Sequence, residues 1–401
     1  MNDAKVSGPN TPQVSSDLRM VMLADHPGSV RHAGISRLLS ALPLLLITLL
    51  ALSDSVLCSS LPTGNLIVGY QDWSACDRNK TLSAAASGVN VIIWFAINLV
   101  TDAQGNPAVE GGPDQSCMAQ VAQELNGMGL PTAHLISIGG WDAPHPAAGF
   151  SGVQLFEAFA AWNSGLPRPF DGFDWDLEGH DDPAKSSNYF TVDTLHQMID
   201  MSVAAQASGL IVTLVPAQSY FDESTEEFNL SLLNNYEEWH PDFRYHGRNC
   251  YAYVWAAAPP RTFSLVTVQL YESWSRADEA LLTAPSASAA AQEYLQKWWA
   301  RLTDGSWTVV FGNATGLRVS GRRVMAVDPS QLVVGFSRGD AAGKSAFISP
   351  EDAATAWVQT APHLRPRGFA FWNIAMEGST ANGTEASLAF APGLNAFLHT
   401  R

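Results

Sequence analysis

The sequence contains few cysteines and no clustered metal ligands. Its 401 residues include 4 Cys and 10 His, and these form neither a CxxC pair nor an HExxH run. Runs of that kind supply the ligands of many zinc sites. The sequence therefore predicts neither a metal site nor any other cofactor.

Basic residues are also scarce. Lys and Arg number 22 against 38 Asp and Glu, which gives a formal net charge of −16. Phosphate groups repel so acidic a chain, so neither nucleic acid nor an anionic membrane is an expected partner. A phosphate-binding loop is missing too, because the first apolar run, Leu66–Tyr70, is followed by QDWSACD, which is not glycine-rich. Nucleotide binding is not expected either.

The N-terminal region carries one apolar run that is too short for a typical membrane span. Residues 1–37 form a polar segment, and Leu38–Leu52 is almost entirely apolar. That length is typical of the core of a secretory signal peptide. We expect residues 38–58 to be this signal, cleaved after Cys58, and the protein to be extracellular. The alternative is an uncleaved signal anchor that tethers it to a membrane.

Glycosylation sequons and cysteine count fit an extracellular protein. Sequons begin at Asn79, Asn229, Asn313 and Asn382, each a candidate glycosylation site. Without Cys58, three cysteines remain, which allows one disulfide and one free thiol. Cys76 and Cys117 each follow a predicted strand, so we expect these two to pair.

Beyond residue 65, eight short apolar runs alternate with helical stretches. The runs are Leu66–Tyr70, Val91–Ala96, His134–Gly140, Phe170–Glu178, Leu210–Ala217, Ser264–Tyr271, Leu332–Phe336 and Gly368–Asn373. The last helix has a clear start, with Ser349 before Pro350. Eight strands alternating with helices predict an α/β fold, a (β/α)8 TIM barrel over residues 65–400, rather than an open doubly wound sheet.

The fourth run, FDGFDWDLE, contains closely spaced acids. Side chains in a strand alternate between its two faces, so Asp174, Asp176 and Glu178 share a face. We expect that face to point into the barrel, towards the C-terminal mouth where barrel active sites lie. Three adjacent carboxylates cannot all ionise readily, so at least one should hold a proton. Their spacing alone suits either acid-catalysed glycoside cleavage or a Mg²⁺ or Mn²⁺ site.

The sequence DGFDWDLE resembles the DGxDxDxE signature of glycoside hydrolase family 18, the chitinase family. Further similar motifs occur in the family's order at strand ends: VGYQDW, SIGG at Ser137–Gly140, QLY at Gln269–Tyr271, VVGF and Trp372. The resemblance covers about residues 65–400. It favours glycoside cleavage over metal binding.

The resemblance implies a role for each matching residue. Glu178 would protonate the glycosidic oxygen while the substrate's own 2-acetamido oxygen attacks the sugar. Asp176 would hold the acetamide N–H, and Asp174 would share a proton with Asp176. Tyr271 would bind the acetamide carbonyl, and Trp372 would stack beneath the sugar. Further substrate-binding candidates are Gln269, Tyr70, Gly140 and Trp141. Asp171, of opposite parity, is expected to be structural.

The implied activity is that of a chitinase, a retaining hydrolase of β-1,4-linked N-acetylglucosamine chains. Chitin or related oligosaccharides would be its partners, and the protein would be a monomer. Only about thirty residues separate Gly335 from Gly368, too few for a large α+β insertion, so we expect an open cleft and endo cleavage. The alternatives are an endo-β-N-acetylglucosaminidase acting on N-glycans and a non-catalytic lectin. The presence of Glu178 argues against the lectin.

Overall fold

A computed structural model describes most of the chain beyond the predicted signal. The described residues are 60–73, 76–179, 189–231, 247–271, 275–312, 314–337, 347–377 and 389–399. The predicted signal at 38–58 lies outside them, as do the sequons at Asn313 and Asn382. No helix among these residues combines the length and the apolar character needed to cross a membrane.

The described residues form eleven strands and nine α-helices. The strands are β1 Leu66–Tyr70, β2 Val91–Thr101, β3 Pro107–Gly111, β4 Ala133–Gly140, β5 Gly172–Leu177, β6 Ile211–Leu214, β7 Leu265–Gln269, β8 Trp307–Phe311, β9 Gly321–Met325, β10 Leu332–Ser337 and β11 Gly368–Trp372. The helices are α1 Arg78–Ala86, α2 Gln115–Gly127, α3 Gly152–Ser164, α4 Val192–Ala207, α5 Cys250–Ala257, α6 Arg276–Leu282, α7 Ala287–Thr303, α8 Pro350–Gln359 and α9 Phe390–Leu398.

The predicted eight-stranded parallel barrel is confirmed. Its strands follow the order β1, β11, β10, β7, β6, β5, β4 and β2, and parallel pairing of β1 with β2 closes it. All eight strands predicted from the sequence are present, with ends that differ by a few residues. β5 stops at Leu177, so Glu178 lies one residue beyond the strand, at the mouth.

The faces of β5 follow the predicted alternation. Phe173 and Trp175 point outward, where Phe173 packs edge-on against Phe159 of α3 and the Trp175 indole N–H donates to Ser202 Oγ of α4. Both rings are fully buried, and losing one such ring typically costs about 3–5 kcal/mol. The acids of this strand consequently face the barrel interior.

Two features of the sheet were not predicted. β2 continues to Thr101 and pairs with the antiparallel strand β3, and β8 and β9 form a separate hairpin. The first turn has a local signal, because Asp102 Oδ1 accepts hydrogen bonds from the backbone N–H groups of Gln104 and Asn106, as Asp does in tight turns.

The predicted disulfide is confirmed. Cys76, just before α1, bonds to Cys117 in α2, with their Cα atoms 6.2 Å apart. Cys250 is a buried free thiol. A disulfide of this loop length typically stabilises a protein by about 2–4 kcal/mol. The predicted helix start at Ser349 is confirmed, since Ser349 caps α8 by accepting from Asp352 N, but α8 is not the last helix, because α9 follows it.

Candidate active site

Asp174 and Asp176 of β5 and Glu178, one residue beyond it, lie at the barrel mouth and are almost completely buried. Asp174 accepts two hydroxyl hydrogen bonds: Tyr70 of β1 donates to Oδ2 at 2.8 Å and Thr213 of β6 donates to Oδ1 at 2.5 Å. Burial raises the pKa of Asp174 to about 7, although both hydroxyls oppose this effect. Both oxygens of Asp174 therefore accept a hydrogen bond from a hydroxyl group on a neighbouring strand.

A single amide connects the other two acids. Gln269 Nε2 lies 2.9 Å from Asp176 Oδ1, 3.0 Å from Glu178 Oε1 and 2.8 Å from Val215 O. The family resemblance predicts Gln269 as a substrate contact. The structure places this side chain, only 2% exposed, against the acids themselves, so it orients both carboxyl groups before any substrate arrives.

Glu178 keeps one oxygen available. Its Oε2 is buried and accepts no hydrogen bond from the residues that the structure describes. Burial raises the pKa of Glu178, and the hydrogen bonds that it shares with Gln269 and Asp176 oppose this effect. A raised pKa means that this carboxyl group keeps its proton to a higher pH than an exposed glutamate does, and a general acid needs such a proton to deliver to a substrate atom.

An aromatic group lines the mouth beside the acids. The ring of Trp372, at the end of β11, lies edge-on to Phe95 with centroids 4.9 Å apart and is 6.3 Å from Tyr70. Trp73, 47% exposed, packs against the other side of Phe95 at 4.4 Å. Neither Trp73 nor Phe95 was singled out from the sequence. The position of Trp73 within VGYQDW was the signal that could have identified it.

Gly140 leaves room for this aromatic group. Its φ is +111°, and a Cβ atom there would lie 2.4 Å from Phe95 Cζ and 2.7 Å from the Trp73 ring. Only glycine fits such a position, so Gly140 shapes the mouth through its lack of a side chain. The next residue, Trp141, is 45% exposed.

Tyr271 follows β7 by two residues and is partly buried. It contributes to raising the pKa of Tyr70, after the larger effects of burial, Asp174 and Asp176. Its hydroxyl therefore belongs to the same electrostatic environment as the acids.

The remaining predicted residues lie outside this group. Asp171 pairs with Arg168 at 2.9 Å and accepts from His134 N at 2.8 Å, as expected for a structural residue. Asn79 is exposed and Asn229 partly buried. Within the described ranges, no three His, Cys, Asp or Glu side chains are grouped to hold a metal ion.

The barrel is similar to solved chitinase structures. A family GH18 chitinase from Chromobacterium violaceum matches with a TM-score of 0.53 and 15% identity, over 85% of each chain. The catalytic domain of a hyperthermophilic chitinase from Pyrococcus furiosus matches with a TM-score of 0.50 and 14% identity, over 85% of this chain and 97% of that one. The chain has the fold of the family 18 chitinases.

The barrel is also similar to a protein that is named as an inhibitor. The xylanase and alpha-amylase inhibitor protein XAIP-II from Scadoxus multiflorus also matches, with a TM-score of 0.44 and 17% identity over 77% of this chain and 93% of that one. No protein-family model and no curated protein matches the sequence. Because a fold does not determine an activity, the function must be argued from the site residues of this chitinase-like barrel.

The raised pKa of Asp174 predicts a pH-dependent stability. Unfolded aspartate has a pKa of about 3.9, against about 7 here. Between these values the native state holds a proton that the unfolded state has lost. Raising the pH across this window should therefore lower the free energy of unfolding, by up to about 1.4 kcal/mol per pH unit.

The variant Asp174→Asn cannot ionise, so we expect it to lose less stability than wild type across the same window. Urea unfolding of both proteins at about pH 5 and about pH 7 measures the difference. Parallel losses in the two proteins would show that Asp174 ionises normally in the native state.

Proposed function

We propose that the protein is a chitinase that hydrolyses β-1,4-linked N-acetylglucosamine chains with retention of configuration. The observation that carries this proposal is Glu178 itself. This acid is buried at the barrel mouth, has a raised pKa and has one oxygen without a hydrogen-bond partner among the described residues. It is equipped to protonate a glycosidic oxygen, which is the step that makes the sugar a leaving group.

The arrangement of Asp176 favours attack by the substrate's own acetamido group. A retaining enzyme that uses its own nucleophile needs a second carboxylate across the sugar from the acid. Asp176 and Glu178 instead share a side-chain hydrogen bond and both accept from Gln269 Nε2, which leaves no room for a sugar between them. In the proposed mechanism Asp176 binds the acetamide N–H and stabilises the positive charge that develops on the sugar, and Tyr271 binds the acetamide carbonyl.

Asp174 supports Asp176 in this mechanism. With a pKa of about 7, Asp174 can hold or release a proton near neutral pH when Asp176 binds the acetamide N–H of the substrate. Trp372 supplies a flat apolar surface for the cleaved sugar, because indole rings stack well on pyranose faces. Trp73, exposed beside Phe95, extends this aromatic surface and is a further candidate for sugar contact.

We further propose endo cleavage and an extracellular location. The described part of the connection between β10 and β11, residues 347–367, forms α8 and one short 3₁₀ turn. The roughly thirty residues between Gly335 and Gly368 are too few for a large insertion, which supports an open cleft. The Cys76–Cys117 disulfide is typical of proteins that work in oxidising compartments.

Hydrolysis of N-acetylglucosamine hexamers by the full chain tests the proposal. We expect the newly formed reducing ends to be β-anomers in the first minutes, as read by proton NMR, and products of several lengths at early times. Release of α-anomers would contradict retention. Cleavage of an N-glycopeptide but not of the hexamer would favour the endo-β-N-acetylglucosaminidase, whereas binding of the hexamer without cleavage would favour the lectin.

A further inference from the structure

The backbone that carries Glu178 extends beyond the sheet. The pairing of β5 with β6 ends at Trp175 and Leu214, followed by a single hydrogen bond from Val215 N to Trp175 O. The pairing with β4 ends at Leu177. The peptide groups of residues 177–179 therefore need hydrogen-bond partners other than strands.

Side chains from three other segments supply those partners. The Tyr251 hydroxyl accepts from Leu177 N at 2.6 Å and lies 3.0 Å from Leu177 O, to which it can donate. The Tyr220 hydroxyl accepts from Gly179 N at 3.1 Å. On the other side, His145 Nε2 lies 3.0 Å from Glu178 O. Burial lowers the pKa of His145 to about 4, so a neutral ring donates this bond near neutral pH.

The two tyrosines form one rigid unit. Their rings are stacked, with centroids 6.0 Å apart and planes 6° from parallel, and Phe190 packs edge-on against both. Both residues are fully buried. Burial raises the pKa of Tyr251 well above its ordinary value, so its hydroxyl keeps the proton that it donates.

The segments that carry the tyrosines are tied to each other. Tyr220 belongs to the 3₁₀ turn Gln218–Phe221, and Tyr251 to the first turn of α5. Just beyond these elements, Arg248 and Asp222 form a buried ion pair, and Asn249 N donates to Ser219 O. The position of one hydroxyl is therefore coupled to that of the other.

We propose that Tyr251 and Tyr220 are positioning residues that hold Glu178 in register for proton transfer, through the backbone on either side of it. This inference rests on the proposed function, since it assigns Glu178 as the acid. The hydrogen bonds that carry this role are made to the backbone of Leu177 and Gly179. Each acts by fixing the peptide groups from which the Glu178 side chain extends, and displacement of a catalytic group by about 1 Å can cost about 100-fold in rate.

The variant Tyr251→Phe tests the inference, with Tyr253→Phe as its matched control. Both tyrosines lie in α5 and both are fully buried. The Tyr251 hydroxyl accepts from Leu177 N at 2.6 Å, and the Tyr253 hydroxyl accepts from Arg318 N at 2.8 Å. We expect Tyr251→Phe to lower kcat on the hexamer by about 10- to 100-fold, with KM changed by less than about twofold. Tyr253→Phe should lower Tm comparably and leave kcat unchanged.

A second measurement separates positioning from general damage. In the inactive background Glu178→Gln, adding Tyr251→Phe should leave the Kd for the hexamer unchanged, because the residue acts on the acid and not on the sugar. If Tyr251→Phe fails to fold, Tyr220→Phe serves in its place, with a smaller expected drop in kcat because only one hydrogen bond is lost.

The outcomes distinguish the two proposals. Suppose that the wild type is active. Equal kcat in the Tyr251→Phe and Tyr253→Phe variants then overturns the positioning role but not the proposed function. A loss in Tyr251→Phe that appears only in KM or Kd has the same meaning. A wild type that binds the hexamer without cleaving it rejects the proposed function and the positioning role together.

Discussion

Replacing Glu178 with glutamine should lower kcat for chitin oligosaccharides by about 10²- to 10⁴-fold, the usual contribution of a general acid. Glutamine has nearly the same shape, and its side-chain oxygen can still accept from Gln269 Nε2. It has no proton to deliver to the glycosidic oxygen. The folded structure and the Kd for the hexamer should therefore change little, and the loss should appear in kcat, measured by the rate of reducing-end formation.

Glu223→Gln is the matched control for that experiment. Glu223 is also buried, and burial and the neighbouring Asp222 raise its pKa to about 8, so it is mostly neutral at neutral pH. The charged groups that affect its pKa are Asp222, Arg301 and Arg276, rather than Asp174, Asp176 or Glu178. We expect this variant to retain wild-type kcat. Equal losses in the two variants, or full activity in Glu178→Gln, would contradict the assignment of Glu178.

Replacing Arg248 with methionine should destabilise the protein by roughly 3–5 kcal/mol, the usual cost of removing one member of a buried ion pair. Arg248 and Asp222 are 2% and 0% exposed, so Asp222 would be left as a charge with neither water nor a cation to stabilise it. Ser224 donates to Asp222 through its N–H and its hydroxyl, which is too little to replace a guanidinium. The free energy of unfolding from urea titration measures the loss.

Arg318→Met provides the comparison for this ion pair. Arg318 pairs with Asp200 through two hydrogen bonds, at 2.5 and 2.7 Å, but both side chains are more than a third exposed. Pairs of this kind contribute about 0–1 kcal/mol.

The double variant Asp222→Leu with Arg248→Met should recover part of the stability that Arg248→Met loses, since no buried charge remains. A similar cost in Arg248→Met and Arg318→Met would indicate that water reaches Asp222.

Local patterns in the sequence were enough to predict the barrel and the inward acids. Alternation along a strand is a property of three or four consecutive residues, so FDGFDWDLE assigns Asp174 and Asp176 to one face and Trp175 to the other whatever surrounds them. Eight such runs separated by helices predict a closed parallel sheet, because strands joined through helices run parallel and eight of them can close into a barrel. The Cys76–Cys117 bond also followed from the strands that precede each cysteine.

Contacts across the barrel depended on the tertiary structure. Gln269 lies 93 positions from Asp176 along the chain, and Tyr70 lies 104 positions from Asp174. Which of them meet is decided by the register of every strand between them, and by the closure of β1 on β2. No local pattern contains that information. The family motifs named Gln269 and Tyr70 as substrate contacts, whereas the fold brings them against the acids.

The residues around the catalytic backbone were the least accessible to sequence reasoning. Tyr220 and Tyr251 lie in the connection between β6 and β7, where the alternation that sets side-chain direction within a strand does not apply. Their hydroxyls reach Leu177 and Gly179 from two segments that the Arg248–Asp222 ion pair joins. By itself, the sequence determined which side chains face the barrel interior, because that follows from geometry within each strand. Only the tertiary structure decided how the acids are held, because their partners come from strands and loops far away in the chain.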